Sequence, residues 1–290
     1  MSETIKVGAV QAEPAWLNLP ESVKKVTSLV EQAGKDGVNV LGFPELFVPG
    51  YPWSIWTEPY LDNTGMFHEC MANSLVKDSP EMPQICEAVK KAGIFIVLGY
   101  SERDGDSLYI AQSFINPEGK IILHRRKIKP TGVEHAIWGD GDGLINVVDS
   151  PFGKIGGLRA LISTSPENIP ILYTTTGEGD RLACQFMAME GACFVVVSTQ
   201  VMGEKGREKL KLVGSPHVTS GGGFAMIFGP DGTPLVDPLD PGEEGILTAE
   251  IQLSTIDYVK NMLDVVGHYS RPDLLSLNIN LKGAKPVRYV

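Results

Sequence analysis

The first hundred residues alternate buried-strand patterns with amphipathic-helix patterns, and this order constrains the fold more than any other feature. Apolar runs at 5–11 and 38–43 predict two buried strands. Between them, apolar residues at helical spacing predict a helix with Ser22 as its N-cap. A helix over 82–93 and a strand over 94–100 continue the order. Strands that alternate with helices are typical of α/β proteins, in which helices cover a mostly parallel sheet.

Two later segments share one pattern. Residues 107–123 and 222–237 each read as a strand, a turn and a strand, with the turns at 116–119 and 229–232. Each turn has Pro at its second position and Gly at its last, which suits a tight reversal of the chain. Because each hairpin follows a strand–helix–strand unit, we interpret the pattern as a weak internal duplication. Two such halves, stacked sheet on sheet, predict a four-layer α-β-β-α sandwich.

The chain is expected to form one domain over residues 1–290, since no linker or low-complexity run divides it. The sandwich core is predicted over 5–266. Near the end of the chain, 254–264 reads as a helix with Ser254 as its N-cap. Residues 267–290 are predicted to form an extended C-terminal arm, which needs a partner surface on the same subunit or on a neighbour.

Composition and charge exclude several classes of function. The net charge is −10, whereas nucleic-acid binding needs clustered Lys and Arg, so we expect no nucleic-acid partner. No apolar run is long enough to span a bilayer, and the first residues lack a signal-peptide pattern, so we expect a cytoplasmic protein. The four cysteines form no CxxC pair, which argues against zinc or redox chemistry. They are Cys70, Cys86, Cys184 and Cys193.

A glutamate follows the second predicted strand directly. In the segment GFPELFVPGYP, the strand ends at Phe43, and Pro44 takes the chain out of the sheet. Glu45 then lies at the carboxyl edge of the sheet, where α/β proteins place their sites. The alternative is a solvated turn carboxylate or a helix cap, and that alternative is favoured if this motif stands alone.

A lysine alternates with apolar neighbours along a later strand. Lys127 is therefore expected to point inward, and a buried lysine needs a carboxylate partner. Glu134 lies seven residues further on, before a Gly/Asp-rich loop. The alternative is a charged edge strand that resists aggregation. Arg125, Arg126 and Lys129 are expected to serve that purpose.

Five separated segments together resemble the nitrilase family of carbon–nitrogen hydrolases, with the greatest similarity to microbial aliphatic and arylacetonitrile nitrilases. They are FPELFVPGYPW, RRKIKPTGVEHAIWGDGDG, QFMAMEGACFVVVSTQ, GGGFAMIFGPDGTPLVDPL and GHYSRPD. The resemblance implies the α-β-β-α sandwich, conversion of a nitrile to a carboxylic acid and ammonia, and a homo-oligomer. It implies no metal, nucleotide or organic cofactor, because the chemistry needs only a thiol, a base and a cation.

The same resemblance assigns roles to the charged residues. A nitrile carbon is a weak electrophile that a thiolate attacks well. Glu45 matches the general base, Lys127 matches the cation that stabilises developing negative charge, and Glu134 matches a second, positioning glutamate. The family likeness also assigns three aromatic residues to the wall of the substrate pocket, for which ordinary core packing is the alternative. These are Tyr51, Trp53 and Trp138.

The nucleophile segment departs from the family pattern. Nitrilases carry their cysteine in a G-x-[LI]-x-C-W-E segment, on a sharp turn between a strand and a helix. Matching that pattern to 156–158 puts Ala160 at the cysteine position, and Ala160 has no nucleophilic atom. Pro166 and Pro170 exclude a regular helix directly afterwards. We therefore expect that a helix and most of a strand are missing from the region 159–180.

Three interpretations of this departure are open. The chain can be a hydrolase with another nucleophile, for which Cys184 is a weak substitute. It can be a non-catalytic relative that binds a ligand or joins an oligomer. It can also be a gene model or splice form that lost a coding segment near residue 159.

Overall fold

The computed structural model describes residues 4–143, 147–157, 177–216, 218–265, 267–276 and 278. Its strands are β1 (Thr4–Ala12), β2 (Val40–Gly42), β3 (Phe95–Asp104), β4 (Ser107–Ile115), β5 (Ile121–Arg126), β6 (Val147–Ser150), β7 (Gly153–Gly156), β8 (Val195–Val197), β9 (Thr199–Gln200), β10 (Met226–Phe228) and β11 (Gly245–Gln252). Its α-helices are α1 (Leu19–Lys35), α2 (Thr64–Asn73), α3 (Glu81–Ala92), α4 (Gly177–Gly191), α5 (Glu204–Lys209) and α6 (Ser254–Met262). Two 3₁₀ helices, Trp53–Trp56 and Gly132–Ala136, complete the described elements.

The largest sheet has the strand order β11-β1-β2-β3-β4-β5, with β9 beside β1. The strands β1, β2 and β3 are parallel, as the strand–helix order predicts. The strands β3, β4 and β5 then form an antiparallel meander, and β11 returns antiparallel to β1. Within the described part of the chain, β8 and β10 form a second, two-stranded sheet, and β6 pairs with β7.

The hydrophobic clusters reveal four layers. Alternate residues of β1 face opposite ways, as a strand requires: Val10 packs with α1 and α3, whereas Val7 packs with the β10 residue Ile227. The opposite face of β10 packs against α4 through Phe228 and Ala188. The order of layers is helices, large sheet, small sheet, helix, so the predicted α-β-β-α sandwich is confirmed for the described residues.

The predicted helix caps are wrong at two places. The α1 helix begins at Leu19, and its N-cap is Asn18, whose side chain accepts a hydrogen bond from the Glu21 amide. Pro20 suits the first turn, where no amide hydrogen is needed, and this moves the start of the helix before Ser22. The α6 helix has Leu253 at its N-cap position, so Ser254 is already helical.

The two predicted hairpins and the C-terminal arm have different outcomes. The first hairpin forms as β4 and β5, and its turn is closed by the Gly119 amide donating to the Asn116 carbonyl. In the second, only β10 is a regular strand, and the returning arm makes one bridge, Phe228 to Pro234.

Residues 267–276 contain two successive turns and not the predicted extended run. Among the residues described, no helix has the length and apolar character to cross a membrane.

Candidate active site

The loop that follows β2 is fixed along the edge of β3. After β2 ends, the Phe43 amide donates to the Val97 carbonyl, and the Ser101 amide donates to the Val48 carbonyl. Within this loop, Leu46 has a positive φ of 52°, which is strained for a residue with a side chain. Glu45 precedes Leu46, so its backbone leads directly into a constrained turn.

Lys127 follows β5 immediately and is almost completely buried. Its amide donates to the Ile110 carbonyl of β4, which continues the pairing of the two strands by one residue. Its ammonium group lies between two carboxylates, 3.1 Å from Glu45 Oε1 and 2.8 Å from Glu134 Oε2. The structure therefore brings the three charged residues singled out in the sequence into direct contact.

Several hydrogen bonds fix the position of the Glu134 carboxylate. It is the third residue of the Gly132–Ala136 helix and forms a capping box with Thr131, whose amide donates to Glu134 Oε2 at 2.7 Å. The same oxygen receives Lys127 Nζ, and the Tyr51 hydroxyl donates to Oε1 at 3.1 Å. Three donors thus orient one buried carboxylate.

The two glutamates differ in exposure. The Glu45 side chain retains 25% of its accessible surface, against 6% for Glu134. Glu45 Oε1 accepts a hydrogen bond from Lys127, and the partly open carboxylate faces the solvent side of the cluster. One lysine between two glutamates leaves the immediate cluster with an excess negative charge. A carboxylate in this position suits a general base, and a rigidly held one suits positioning.

Tyr51 lies at the centre of an aromatic group beside Glu134. Its ring centroid is 4.7 Å from Trp53 and 6.0 Å from Trp138. Its hydroxyl accepts a hydrogen bond from Trp56 Nε1 at 2.9 Å while it donates to Glu134. Burial, reinforced by the negative charge of Glu134, raises the pKa of Tyr51, so the phenol stays protonated and remains a donor.

The other two predicted wall residues have different environments. Trp138 is 1% exposed, and its Nε1 donates to Ser101 Oγ at 2.9 Å, so it belongs to the packed core behind Tyr51. Trp53 is 36% exposed, and its ring contacts the Tyr51 ring at an interplanar angle of 46°. Sequence reasoning missed Trp56, because its hydrogen bond to the Tyr51 hydroxyl leaves no mark in the local sequence pattern.

The neighbouring cations do not all serve as edge-strand charges. Arg125 is buried, and its guanidinium donates to the Gly157 carbonyl, which corrects the expectation of a solvent-facing role. Burial lowers the pKa of Arg125. Arg126 is also paired within the protein, because its guanidinium donates two hydrogen bonds to the Glu102 carboxylate. Lys129 does face solvent, where it pairs with an aspartate.

The nucleophile position lies outside the described residues. Ala160 falls within 158–176, and Gly157 is the last residue described before it. Gly157 is tightly surrounded, since a Cβ atom there would lie 2.7 Å from both Gln112 Oε1 and Phe114 Cζ. Cys184, the proposed substitute, lies on α4 and packs with the cluster around Met226 on the outer face of the small sheet. Within the described residues, no group of three or more His, Cys, Asp and Glu side chains is placed to hold a metal ion.

Comparison with known proteins decides the family. The carbon–nitrogen hydrolase family model matches residues 6–261. A nitrilase of Talaromyces marneffei is 52% identical over 310 residues, which cover 97% of this chain and 96% of that protein. The chain is a nitrilase-family carbon–nitrogen hydrolase. An aliphatic nitrilase of Rhodococcus rhodochrous is 39% identical to this hydrolase, covering 99% of the chain and 85% of the relative.

Solved structures agree with the fold of this nitrilase-family chain. The C. elegans NitFhit protein superimposes with a TM-score of 0.71 at 18% identity, covering 98% of this chain and 69% of that one. A carbon–nitrogen hydrolase superfamily protein of Xanthomonas campestris gives a TM-score of 0.69 at 15% identity, covering 96% and 100%. At these identities the likeness concerns the fold, and it supports the four-layer sandwich.

The relatives are longer than this hydrolase within the aligned region. The alignment to the T. marneffei nitrilase spans 310 positions, whereas 97% of 290 residues is about 281, so about 29 positions have no counterpart here. The Penicillium rubens nitrilase gives 313 positions against about 284 residues, again a difference of about 29. A helix and a strand with their loops have about this length. The deficit therefore matches in size the segment expected to be missing after Gly157.

Proposed function

We propose that this protein hydrolyses a nitrile to a carboxylic acid and ammonia. The observation that carries the proposal is the buried Lys127 ammonium, held between Glu45 and Glu134 in a chain of the nitrilase family. Relatives named nitrilase, aliphatic nitrilase and arylacetonitrilase support the nitrile as the substrate class.

We assign Glu45 as the general base, because its carboxylate is partly exposed beside the lysine. In this role Glu45 takes the proton of the attacking thiol and then activates two water molecules in turn. The first releases ammonia from the thioimidate and leaves a thioester, and the second releases the acid and restores the thiol. Lys127 stabilises the negative charge that develops on the substrate nitrogen or oxygen, in a site where little water screens it. Glu134, held by three donors, positions Lys127. Trp53 is the aromatic residue best placed to contact substrate, because its ring is exposed beside Tyr51.

The proposed mechanism needs a thiol as its nucleophile, but Ala160 occupies the position at which the family pattern has its cysteine. One source is Cys184 in this chain, which would have to leave its packed place on the outer face of the small sheet to reach Glu45 and Lys127. The other is a longer product of the same gene, in which the positions that the relatives have in excess supply the cysteine. Sequencing the transcript separates the two, since a message that encodes Cys-Trp-Glu shortly after Leu158 identifies the longer product as the enzyme.

The activity test measures ammonia and acid released from phenylacetonitrile and from short aliphatic nitriles. Turnover that is lost in Glu45→Gln but kept in Glu87→Gln supports the assigned base, because Glu87 is an exposed helix glutamate that pairs with Lys91. Turnover lost in Cys184→Ser identifies that thiol as the nucleophile. If soluble, folded protein releases no ammonia from any nitrile or amide, this chain is instead a non-catalytic member of the family.

We also propose a cytoplasmic homo-oligomer. The described part of the C-terminal arm supports an oligomer, because Leu274 and Leu275 expose most of their apolar side chains. Sedimentation velocity is expected to give a species larger than 31.4 kDa. Removal of residues 267–290 is expected to reduce its size, and cell fractionation tests the location. A full-length monomer at micromolar concentration would contradict the oligomer.

A further inference from the structure

Gln200 makes two contacts to the loop that carries Glu45 and Tyr51. It is the last residue of β9, which pairs in parallel with the end of β1. Its side-chain amide donates to the Glu45 carbonyl at 2.6 Å, and its side-chain oxygen accepts the Tyr51 amide at 3.4 Å. One side chain from a distant strand thus bridges both ends of the loop.

The stronger of these contacts falls on a strained peptide. The Glu45 carbonyl belongs to the peptide unit that joins Glu45 to Leu46, and Leu46 has the left-handed φ of 52°. Leu46 is fully buried, so its side chain cannot leave the core to relieve the strain. A non-glycine residue keeps such a conformation only when its surroundings hold it there. The Gln200 amide holds the carbonyl on one side of the strained residue.

We propose that Gln200 is a positioning residue that sets the orientation of the Glu45 carboxylate over Lys127. The importance of this role rests on the proposed function, in which Glu45 is the general base. Releasing the Glu45 carbonyl removes a bond that fixes the backbone at Glu45, so its Cα and the side chain that it carries can shift and lengthen the 3.1 Å contact with Lys127 Nζ. Gln200 therefore acts on the site through the backbone of Glu45.

A neighbouring hydrogen bond provides the matched control. Ser198 Oγ donates to the Gly42 carbonyl at 2.9 Å, close to Gln200 in sequence and also directed at the β2 end. Gly42 lies at the end of β2, before the strained peptide. Ser198→Ala therefore removes a similar bond without releasing the Glu45 carbonyl.

The test compares acylation rates of two lysines under native conditions by mass spectrometry. Glu45 is the more exposed of the two carboxylates that contact Lys127, so we expect a loosened Glu45 to make the Lys127 ammonium more accessible. We expect Gln200→Leu to raise the labelling of Lys127 relative to the exposed Lys129 about tenfold, the effect of losing one net hydrogen bond. Ser198→Ala is expected to leave that ratio within about twofold of the parent value.

A second variant separates the two contacts of Gln200. Gln200→Glu keeps an acceptor for the Tyr51 amide but loses the donor to the Glu45 carbonyl, so we expect labelling of Lys127 like that of Gln200→Leu. Urea unfolding measures the loss of global stability in each variant. The rise in Lys127 labelling must exceed the rise that this loss alone would produce. An unchanged Lys127 ratio in either variant, or an equal rise in Ser198→Ala, overturns the proposal. Because labelling needs no turnover, this result is independent of whether the chain releases ammonia.

Discussion

Adjacent residues of one chain segment enter two buried charge clusters on opposite sides of the large sheet. Lys127 points to one side and joins Glu45 and Glu134. Arg126 points to the other and joins Glu102. The first cluster is the candidate active site. The second, which also contains His124 and Asp104, has no assigned chemistry.

The two clusters differ in how their charges are balanced. Burial alone would raise the pKa of Glu102, but His124, whose Nε2 lies 3.2 Å from Glu102 Oε2, and two hydrogen bonds from Arg126 outweigh it and lower the pKa to about 2. The Arg126 pKa is raised in turn by its carboxylate partners, against the effect of burial. That cluster is locked in its charged state. In the Lys127 cluster one cation contacts two carboxylates, and one of these, Glu45, is partly exposed to solvent.

The largest effect is expected where Lys127, the cation in contact with both site glutamates, is removed. Lys127→Met leaves two carboxylates close together with their shared partner gone, and we expect a loss of about 3–5 kcal/mol in unfolding free energy, measured in urea. The matched control is Lys129→Met, which breaks an exposed pair with Asp140 and should cost at most about 1 kcal/mol. Similar losses in both variants would remove the distinction between a buried cluster and a surface pair.

The structural cluster is tested through acid stability. Glu102 has a folded pKa of about 2 against an ordinary 4.5, so its contribution is complete above about pH 4.5 and is lost as the pH falls through about 2. Glu102→Gln is expected to lower stability at pH 7 by about 2–3 kcal/mol and to flatten the pH dependence between those limits. Asp104→Asn, at the exposed partner of Arg126, should change stability little. If the stability of Glu102→Gln depends on acid pH in the same way as that of the parent protein, the ionised Glu102 does not stabilise its cluster.

Substitutions of the two site glutamates are expected to affect different properties, stability for Glu134 and activity for Glu45. Glu134→Gln alters the acceptor of three hydrogen bonds, and we expect a loss of about 2 kcal/mol in urea unfolding. Glu45→Gln alters a partly exposed acceptor, so it should cost less than about 1 kcal/mol while it abolishes any nitrile turnover. The reverse order of stability losses would mean that Glu45, and not Glu134, holds the lysine in place.

An effect smaller than that of Glu134→Gln is expected from the loss of one hydroxyl group. Tyr51→Phe removes the donor to Glu134 and the acceptor for Trp56, with an expected cost of about 1 kcal/mol. The Trp56 indole N–H should also exchange faster in nitrogen-15 NMR spectra. Tyr60→Phe, at an exposed tyrosine nearby, is the control for both measurements. An unchanged Trp56 signal in Tyr51→Phe would show that the two side chains are not bonded in solution.

Local patterns in the sequence were sufficient to predict those features of the fold that depend on neighbouring residues alone. Alternation along a strand determines which side chains face inward, and it correctly placed Lys127 inside. The glycine after α3, Gly93, is left-handed and ends that helix as predicted. Where two local signals competed the prediction failed, since Ser22 and Asn18 are both good caps and Pro20 decided between them.

Contacts between distant parts of the chain were not predictable in the same way. Gln200 is 155 residues from Glu45, and an isolated glutamine at the end of a strand has no pattern that indicates its partner. Trp56 was missed for the same reason, although it is only five residues from Tyr51, because the bond depends on the 3₁₀ turn between them. Which charged residues of distant segments pair with one another could be predicted only from the resemblance to the nitrilase family.

The capping box at Glu134 has a consequence for the cost of catalysis. A single oxygen, Oε2, both closes a turn of backbone through the Thr131 amide and receives the Lys127 ammonium. The lysine is thus aimed by main-chain geometry, which was organised when the protein folded. When charge builds up on a bound molecule, few dipoles have to turn to meet it, and that saved reorganisation lowers the barrier.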